Sequence, residues 1–227
     1  MTVHTPTSKK DAETKNVAVI ETCKGCKKVP ELCLCSVVKP MPTKLHVLIL
    51  QHPQEPDKAL GTAWLAHSAL SNSTLKVGLS WPNLTKALGR PAENAKWGVL
   101  FLGGKLGSKP HPEDRINIQT KNGTTFEPDF SGLEGIVILD GTWAQAKTMW
   151  WRNAWLLKLK RVTLNPLHRS MYGRIRKEPR KECLSTIEAI AETLEALFEN
   201  PEIPNGLREY FKELINRLQK QGKPQRD

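Results

Sequence analysis

No apolar run in this chain of 227 residues reaches the length of a membrane-spanning helix. The opening stretch MTVHTPTSKKDAETKN lacks the apolar centre of a secretory leader and reads as a polar, disordered tail over residues 1–19. Also absent are G-x-x-x-x-G-K-[ST] and G-x-G-x-x-G, so the loop GGKLGSK fits neither phosphate-binding template. H-E-x-x-H and G-x-S-x-G are missing as well. These absences argue against an ordinary nucleotide hydrolase, a dinucleotide oxidoreductase, a zinc protease and a serine hydrolase. No internal repeat is visible. The expectation is a cytoplasmic protein with no membrane contact, acting as a monomer.

What is present is basic. Lys and Arg number 34 against 23 Asp and Glu, a net charge of +11. Such an excess favours polyanionic partners. It is also clustered: residues 158–181 hold Lys158, Lys160, Arg161, Arg169, Arg174, Arg176, Lys177, Arg180 and Lys181 against Glu178 alone. A solvated basic face would look the same, but clustering favours nucleic-acid phosphates, with binding that weakens in salt.

Four of the five cysteines fall in CKGCKKVPELCLC as C-x2-C-x6-C-x-C: Cys23, Cys26, Cys33 and Cys35. In a reducing compartment two close pairs point to zinc rather than disulfides. Four thiolates leave no open coordination position, so the role would be structural. Four free thiols or a redox pair are the alternatives. Cys183 stands alone and reads as an ordinary thiol. This divides the chain into a tail, a zinc module over residues 20–42 and a larger domain over residues 43–227.

A hydrophobic content of 39% supports one sizeable core. Apolar runs at residues 45–50, 75–81, 98–102, 135–140 and 161–165 read as strands. Helices are expected at residues 59–70 and 143–157, and two amphipathic helices close the chain. The first carries Ile187, Ile190, Ala191, Leu194, Leu197 and Phe198 on one face. The second carries Leu207, Tyr210, Phe211, Leu214, Ile215 and Leu218. Residues 110–134 look irregular. Continuous apolar strands alternating with helices predict an α/β fold with a mostly parallel sheet.

In such sheets ligands bind beyond the carboxyl ends of strands. Those ends lead here to His52 and Glu55, to Leu102, Gly103 and Gly104, and to Leu139, Asp140 and Gly141. The loop before the penultimate helix adds Leu184, Ser185, Thr186 and Glu188. Thr142 with Gln145, and Ser185 with Glu188, also match helix capping boxes and need no ligand. Asp140 lies outside the cap, so capping does not explain it. Of Trp143, Trp150, Trp151 and Trp155, most are expected to fasten their helix to the sheet, while an indole near the site can stack on a base.

Asp140-Gly141-Thr142-Trp143, the four cysteines, HPQE after the first strand, YGRIR at residues 172–176 and LSTIEA at residues 184–189 occur together in one order. In this the chain resembles the DTW-domain proteins. Gly61-Thr62 departs from the Asn-Thr pair expected in that pattern. The resemblance implies a SPOUT-like α/β fold, knotted in its carboxyl-terminal half. It further implies a tRNA-uridine aminocarboxypropyltransferase, which moves the 3-amino-3-carboxypropyl group of S-adenosylmethionine to uracil N3 and releases methylthioadenosine.

On that reading Asp140, Thr142 and Trp143 are the catalytic candidates. Asp140 either takes the N3 proton or acts as an electrostatic anchor. The positive end of the following helix favours its charged form, which suits an anchor and makes a weaker base. The cofactor set is Leu102, Gly103, Gly104, Leu139, Asp140, Gly141, Arg176, Leu184, Ser185, Thr186 and Glu188. His52, Glu55, Arg169, Tyr172, Arg174 and Lys177 are assigned to the tRNA substrate. An RNA methyltransferase using the same cofactor and a non-catalytic zinc-ribbon RNA-binding protein remain the rivals.

Overall fold

An apolar strand has two faces to hide, and the central strands here hide both. The computed structural model describes residues 21–56, 58–102, 115–119, 132–173, 175 and 184–221. Among these, six strands form one sheet: β1 (His46–Gln51), β2 (Ser73–Val77), β3 (Trp97–Leu102), β4 (Ile116–Gln119), β5 (Gly135–Asp140) and β6 (Lys160–Leu164). Their order is β2-β1-β5-β3-β6-β4. Every pairing is parallel except that of β4 with β6. The mixed α/β class with a mostly parallel sheet is thus as expected.

Val47, Ile49, Ile136 and Ile138 face one core, and Leu48, Leu50 and Val137 face the other. The first core is closed by α1 (Ala63–Ala69), α4 (Thr186–Ala196) and α5 (Glu202–Lys220). The second is closed by α2 (Leu84–Leu88) and α3 (Trp143–Arg152). Gly135 starts β5 because nothing larger fits: a Cβ there would lie 2.6 Å from the Trp97 ring and 2.7 Å from the His46 carbonyl. No described helix is long and apolar enough to cross a membrane.

Several expectations shift. The helix read at residues 59–70 begins only at Ala63, and residues 59–62 form a loop instead. The strand read at residues 75–81 is β2, ending at Val77. The stretch read as irregular contains β4, an edge strand. The short α2 was not foreseen; Asn83 caps it by accepting from the Lys86 N–H, and Gly89 ends it at φ 84°.

The helix read at residues 143–157 breaks at Asn153, which is buried. Its Nδ2 donates to the Met149 and Leu79 carbonyls at 2.7 and 2.9 Å, and its Oδ1 accepts from the Trp81 N–H and from Trp155 Nε1. A side chain so engaged ends the helix and starts a 3-10 turn over Ala154–Lys158. The break changes the fate of the indoles. Trp155 is buried in the turn, and Trp150 meets Phe101 edge-on at 4.9 Å. Trp143 and Trp151 are 55% and 72% exposed, so half of the set, rather than a minority, is turned away from the sheet. Phe198, expected on the apolar face of α4, is also exposed; α4 ends at Ala196 and Phe198 takes φ 58° beyond it.

α4 and α5 are joined by charge as well as by apolar packing. Arg115 Nη2 bonds Glu192 at 3.0 Å and Glu195 at 2.8 Å; Arg208 Nη2 bonds them at 3.2 and 2.7 Å. The Arg208 hydrogen bond holds the Glu195 carboxyl at about 2, against the opposing pull of burial. Burial pushes buried Glu192 up, but His168, Arg115, the Leu167 N–H and the Arg208 charge together bring it below its ordinary value. Carboxyls lowered in this way contribute stability that is complete above their unfolded value of about 4.3 and lost as pH falls toward the folded one. Thermal melts should therefore show the melting temperature dropping between about pH 4.5 and 2. Glu192→Gln should flatten part of that slope and cost about 2 kcal/mol at neutral pH.

Candidate active site and metal centre

Four sulfurs converge ahead of β1. The Sγ atoms of Cys23 and Cys35 lie 3.5 Å apart, those of Cys26 and Cys33 lie 3.7 Å apart, and all four fall within 4.8 Å of one another. Zinc bound tetrahedrally to sulfur at about 2.3 Å would space the sulfurs by about 3.8 Å, so the set fits that ion. The first turn is closed by the Cys23 N–H on the Lys28 carbonyl and the Lys27 N–H on the Cys23 carbonyl, each at 2.8 Å. Backbone N–H groups of Cys26 and Gly25 draw the Cys23 thiol down to about 6, while burial pushes Cys26 up.

This segment is fastened to the body. Leu32 and Leu34 are buried in the first core, and Arg217 of α5 donates to the Cys33 carbonyl at 2.6 Å. Lys28 Nζ donates to the Lys58 carbonyl. Lys58 in turn pairs with Glu55 at 3.1 Å. Through these contacts the cysteine turn holds the loop that leads into α1.

That loop walls a cleft at the carboxyl ends of β1 and β5. The cleft is lined by Glu55, Lys58, Leu60, Gly61, Thr62, Asp140, Gly141, Tyr172, Leu184, Ser185 and Thr186. Asp140 is buried at the end of β5. Its Oδ2 accepts from Gln51 Nε2 at 2.8 Å and its Oδ1 from the Thr186 hydroxyl. The carboxylate thus ties β5 to β1 and to the first turn of α4. The His52 N–H donates to the Asp140 carbonyl at 2.9 Å. Gly61 closes the opposite wall: a Cβ there would sit 3.2 Å from the Lys58 carbonyl and 3.3 Å from that of Glu55.

The predicted site residues separate into groups. Asp140, Gly141, Leu184, Ser185, Thr186, Glu55 and Tyr172 come together in the cleft wall. Tyr172 does so as a core residue; its hydroxyl donates to the Leu60 carbonyl and its ring meets Phe211 edge-on. Glu188 is buried behind the wall, and its carboxylate accepts from the Ser185 N–H and hydroxyl, the Ser170 hydroxyl and the Met171 N–H. Its capping box with Ser185 is formed, as is that of Thr142 with Gln145. Leu139 turns its side chain to the second core, and Leu102 ends β3. Thr142, Trp143 and Arg169 are exposed, and His52 is half-buried. Gly103, Gly104, Arg174, Arg176, Lys177 and Cys183 lie outside the described residues, as does the amino-terminal tail.

Sequence reading missed Gln51, Lys28, Lys58, Leu60 and Thr62. Gln51 had a visible mark, since it is the polar end of an otherwise apolar strand. Thr62 was marked only as part of the Gly61-Thr62 pair; its contact, a hydroxyl accepting from the Ile187 N–H 125 positions away, had no mark.

The profile of the DTW domain matches residues 20–219. The chain belongs to the DTW domain family. Among curated proteins it is similar to three named tRNA-uridine aminocarboxypropyltransferase 2. The relative from Macaca fascicularis is 27% identical over 194 residues, covering 78% of this chain and 57% of its own length. That from Mus musculus is 28% identical over 183 residues, with the same shares. The Drosophila melanogaster relative is 30% identical over 193 residues, covering 80% of this chain and 68% of its own length. This DTW chain thus spans a little over half the length of the two mammalian relatives. No solved structure matches it.

Proposed function

We propose that this chain transfers the 3-amino-3-carboxypropyl group of S-adenosylmethionine to N3 of a uridine in tRNA, releasing methylthioadenosine. The observation that carries the reading is the buried Asp140 carboxylate. It stands at a strand end, in a cleft also walled by the start of α4. The names of the three relatives supply the reaction class.

The chemistry asks little of the protein. A sulfonium already activates its neighbouring carbon. Uracil N3 gives its proton to solvent water and attacks that carbon; the carbon–sulfur bond breaks and its electron pair stays on sulfur, leaving a neutral thioether. What remains is to align N3 with the carbon and to oppose the charges of the cofactor. Asp140 suits the second task. Donors on both carboxylate oxygens favour its charged form, which serves better as an anion beside the ammonium or sulfonium than as a proton acceptor. Leu184, Ser185 and Thr186, beside Asp140, offer the adjoining wall for the rest of the cofactor. Zinc in the four-cysteine site is structural, and the basic stretch after β6 meets tRNA phosphates. The same reading takes the fold as SPOUT-like and knotted. Supporting it, residues 184–186 return to the end of β5 after β6.

Mass spectrometry of unmodified tRNA incubated with the chain and S-adenosylmethionine tests this. A uridine should gain one aminocarboxypropyl group in place of a proton, with methylthioadenosine released in equal amount. A gain of one methyl group would replace the reading by an RNA methyltransferase. RNA bound without product on several tRNA pools would replace it by a binding module.

A further inference from the structure

α3 presents its indoles the wrong way round for a helix that merely closes a core. Its buried side is Met149, with half-buried Trp150 beside it. Trp143, Lys147 and Trp151 follow at spacings of four residues, so they form one stripe, and all three are exposed. Arg152 and Thr148, also exposed, flank it. The stripe begins three residues after Asp140 and two after Gly141, both of which line the cleft.

Charge along the sequence after Asp140 has one sign. Between Asp140 and Glu178 the sequence holds no acidic residue, but it holds Lys147, Arg152, Lys158, Lys160, Arg161 and further Lys and Arg. The first turn of α3 carries no acid, although helix starts favour one. Exposed indoles interleaved with cations, on a segment without an acid, match the chemistry of a single-stranded polynucleotide. Its bases stack on aromatic faces while its phosphates meet Lys and Arg. Eight residues of helix separate the two indoles by about 12 Å, enough for two separate bases.

We infer that the Trp143–Lys147–Trp151 face of α3 is the platform on which the unpaired nucleotides around the target uridine stack, placing that base over the cleft. The inference rests on the tRNA reading above. A second copy of the chain fits the face poorly. A two-fold contact would set Lys147 against its own counterpart. Two indoles of at most about 250 Å2 each also fall short of the roughly 800 Å2 per partner of a stable interface.

The test measures binding of an unmodified tRNA transcript to full-length chain at fixed salt by fluorescence anisotropy, with S-adenosylmethionine affinity measured separately. Trp151→Ala should weaken tRNA binding about 10-fold, by the usual worth of one stacked base. Trp151→Phe should recover part of it, and Lys147→Glu should weaken it comparably. Cofactor affinity should hold within about twofold for all three, since none of them lines the cleft. Variants that bind tRNA like wild type would overturn the platform while leaving the transfer reading intact. So would a concentration-dependent dimer that Trp151→Ala abolishes. A wild-type chain with no affinity for tRNA would overturn both.

Discussion

Asp140→Asn should lower turnover at least about 100-fold while leaving the melting temperature within about 3 °C of wild type. The small stability effect follows from the geometry. The amide keeps an oxygen for Gln51 Nε2, and its NH2 faces Thr186, whose hydroxyl can turn from donor to acceptor. Asp140→Ala lacks that compensation. It would leave a buried Gln51 amide unpaired and should cost about 1–3 kcal/mol in addition. For the isosteric variant, isothermal titration with S-adenosylmethionine separates the two roles of the carboxylate. An electrostatic anchor predicts a cofactor affinity reduced about 10-fold or more, because a charge has been removed beside a cation. A proton acceptor predicts unchanged affinity with turnover alone reduced. Near-wild-type transfer by Asp140→Asn would remove Asp140 from the chemistry altogether.

Loss of the metal should be nearly as damaging, by another route. Chain purified without chelators should carry one zinc, and stripping it, or Cys26→Ala, should cost about 3 kcal/mol or more. For a protein of this size that lowers the melting temperature by roughly 6–12 °C. The reason is where the cysteine segment leads. Leu32 and Leu34 belong to the first core, Arg217 bonds the Cys33 carbonyl, and Lys28 holds the loop carrying Lys58, Leu60 and Gly61. Unravelling the turn should therefore also weaken cofactor binding, although none of the four cysteines lines the cleft. Full-strength binding and an unchanged melting curve in metal-free protein would show that the four thiols serve some other purpose. Elemental analysis together with thiol titration reads the metal content directly.

Local chemistry was legible because it is written in neighbouring residues. The apolar runs at residues 135–140 and 98–102 became β5 and β3. Thr142 with Gln145 and Ser185 with Glu188 formed their capping boxes. The C-x2-C-x6-C-x-C spacing brought four sulfurs together, since each pair sits on its own short turn. Asp140 stood out because neither strand nor cap required an acid there.

Other features were decided only in three dimensions. Periodicity marked α3 as a helix but not its end. Asn153 stops it through bonds to Leu79 and Trp81, more than seventy positions away. That stop left Trp151 in solvent and Trp155 in the core, whereas a continuous helix would have kept them one turn apart on one side. The edge strand β4 escaped notice because only Ile118 of its four residues is buried and the stretch sits among Pro, Gly and Asn. Its pairing with β6 is what makes it a strand.

Most of the elements, the four-cysteine turn and the acid at the strand-to-helix junction follow from side-chain period, from turn chemistry and from spacings of a few residues. What Asp140 faces depends on the folded chain as a whole. Its carboxylate oxygens are held by Gln51, 89 positions before it, and by Thr186, 46 after it. Those contacts exist because β1 and β5 lie side by side and α4 returns to their ends. Strand order and chain return depend on how two buried faces are shared among all the helices, and no window of sequence contains that.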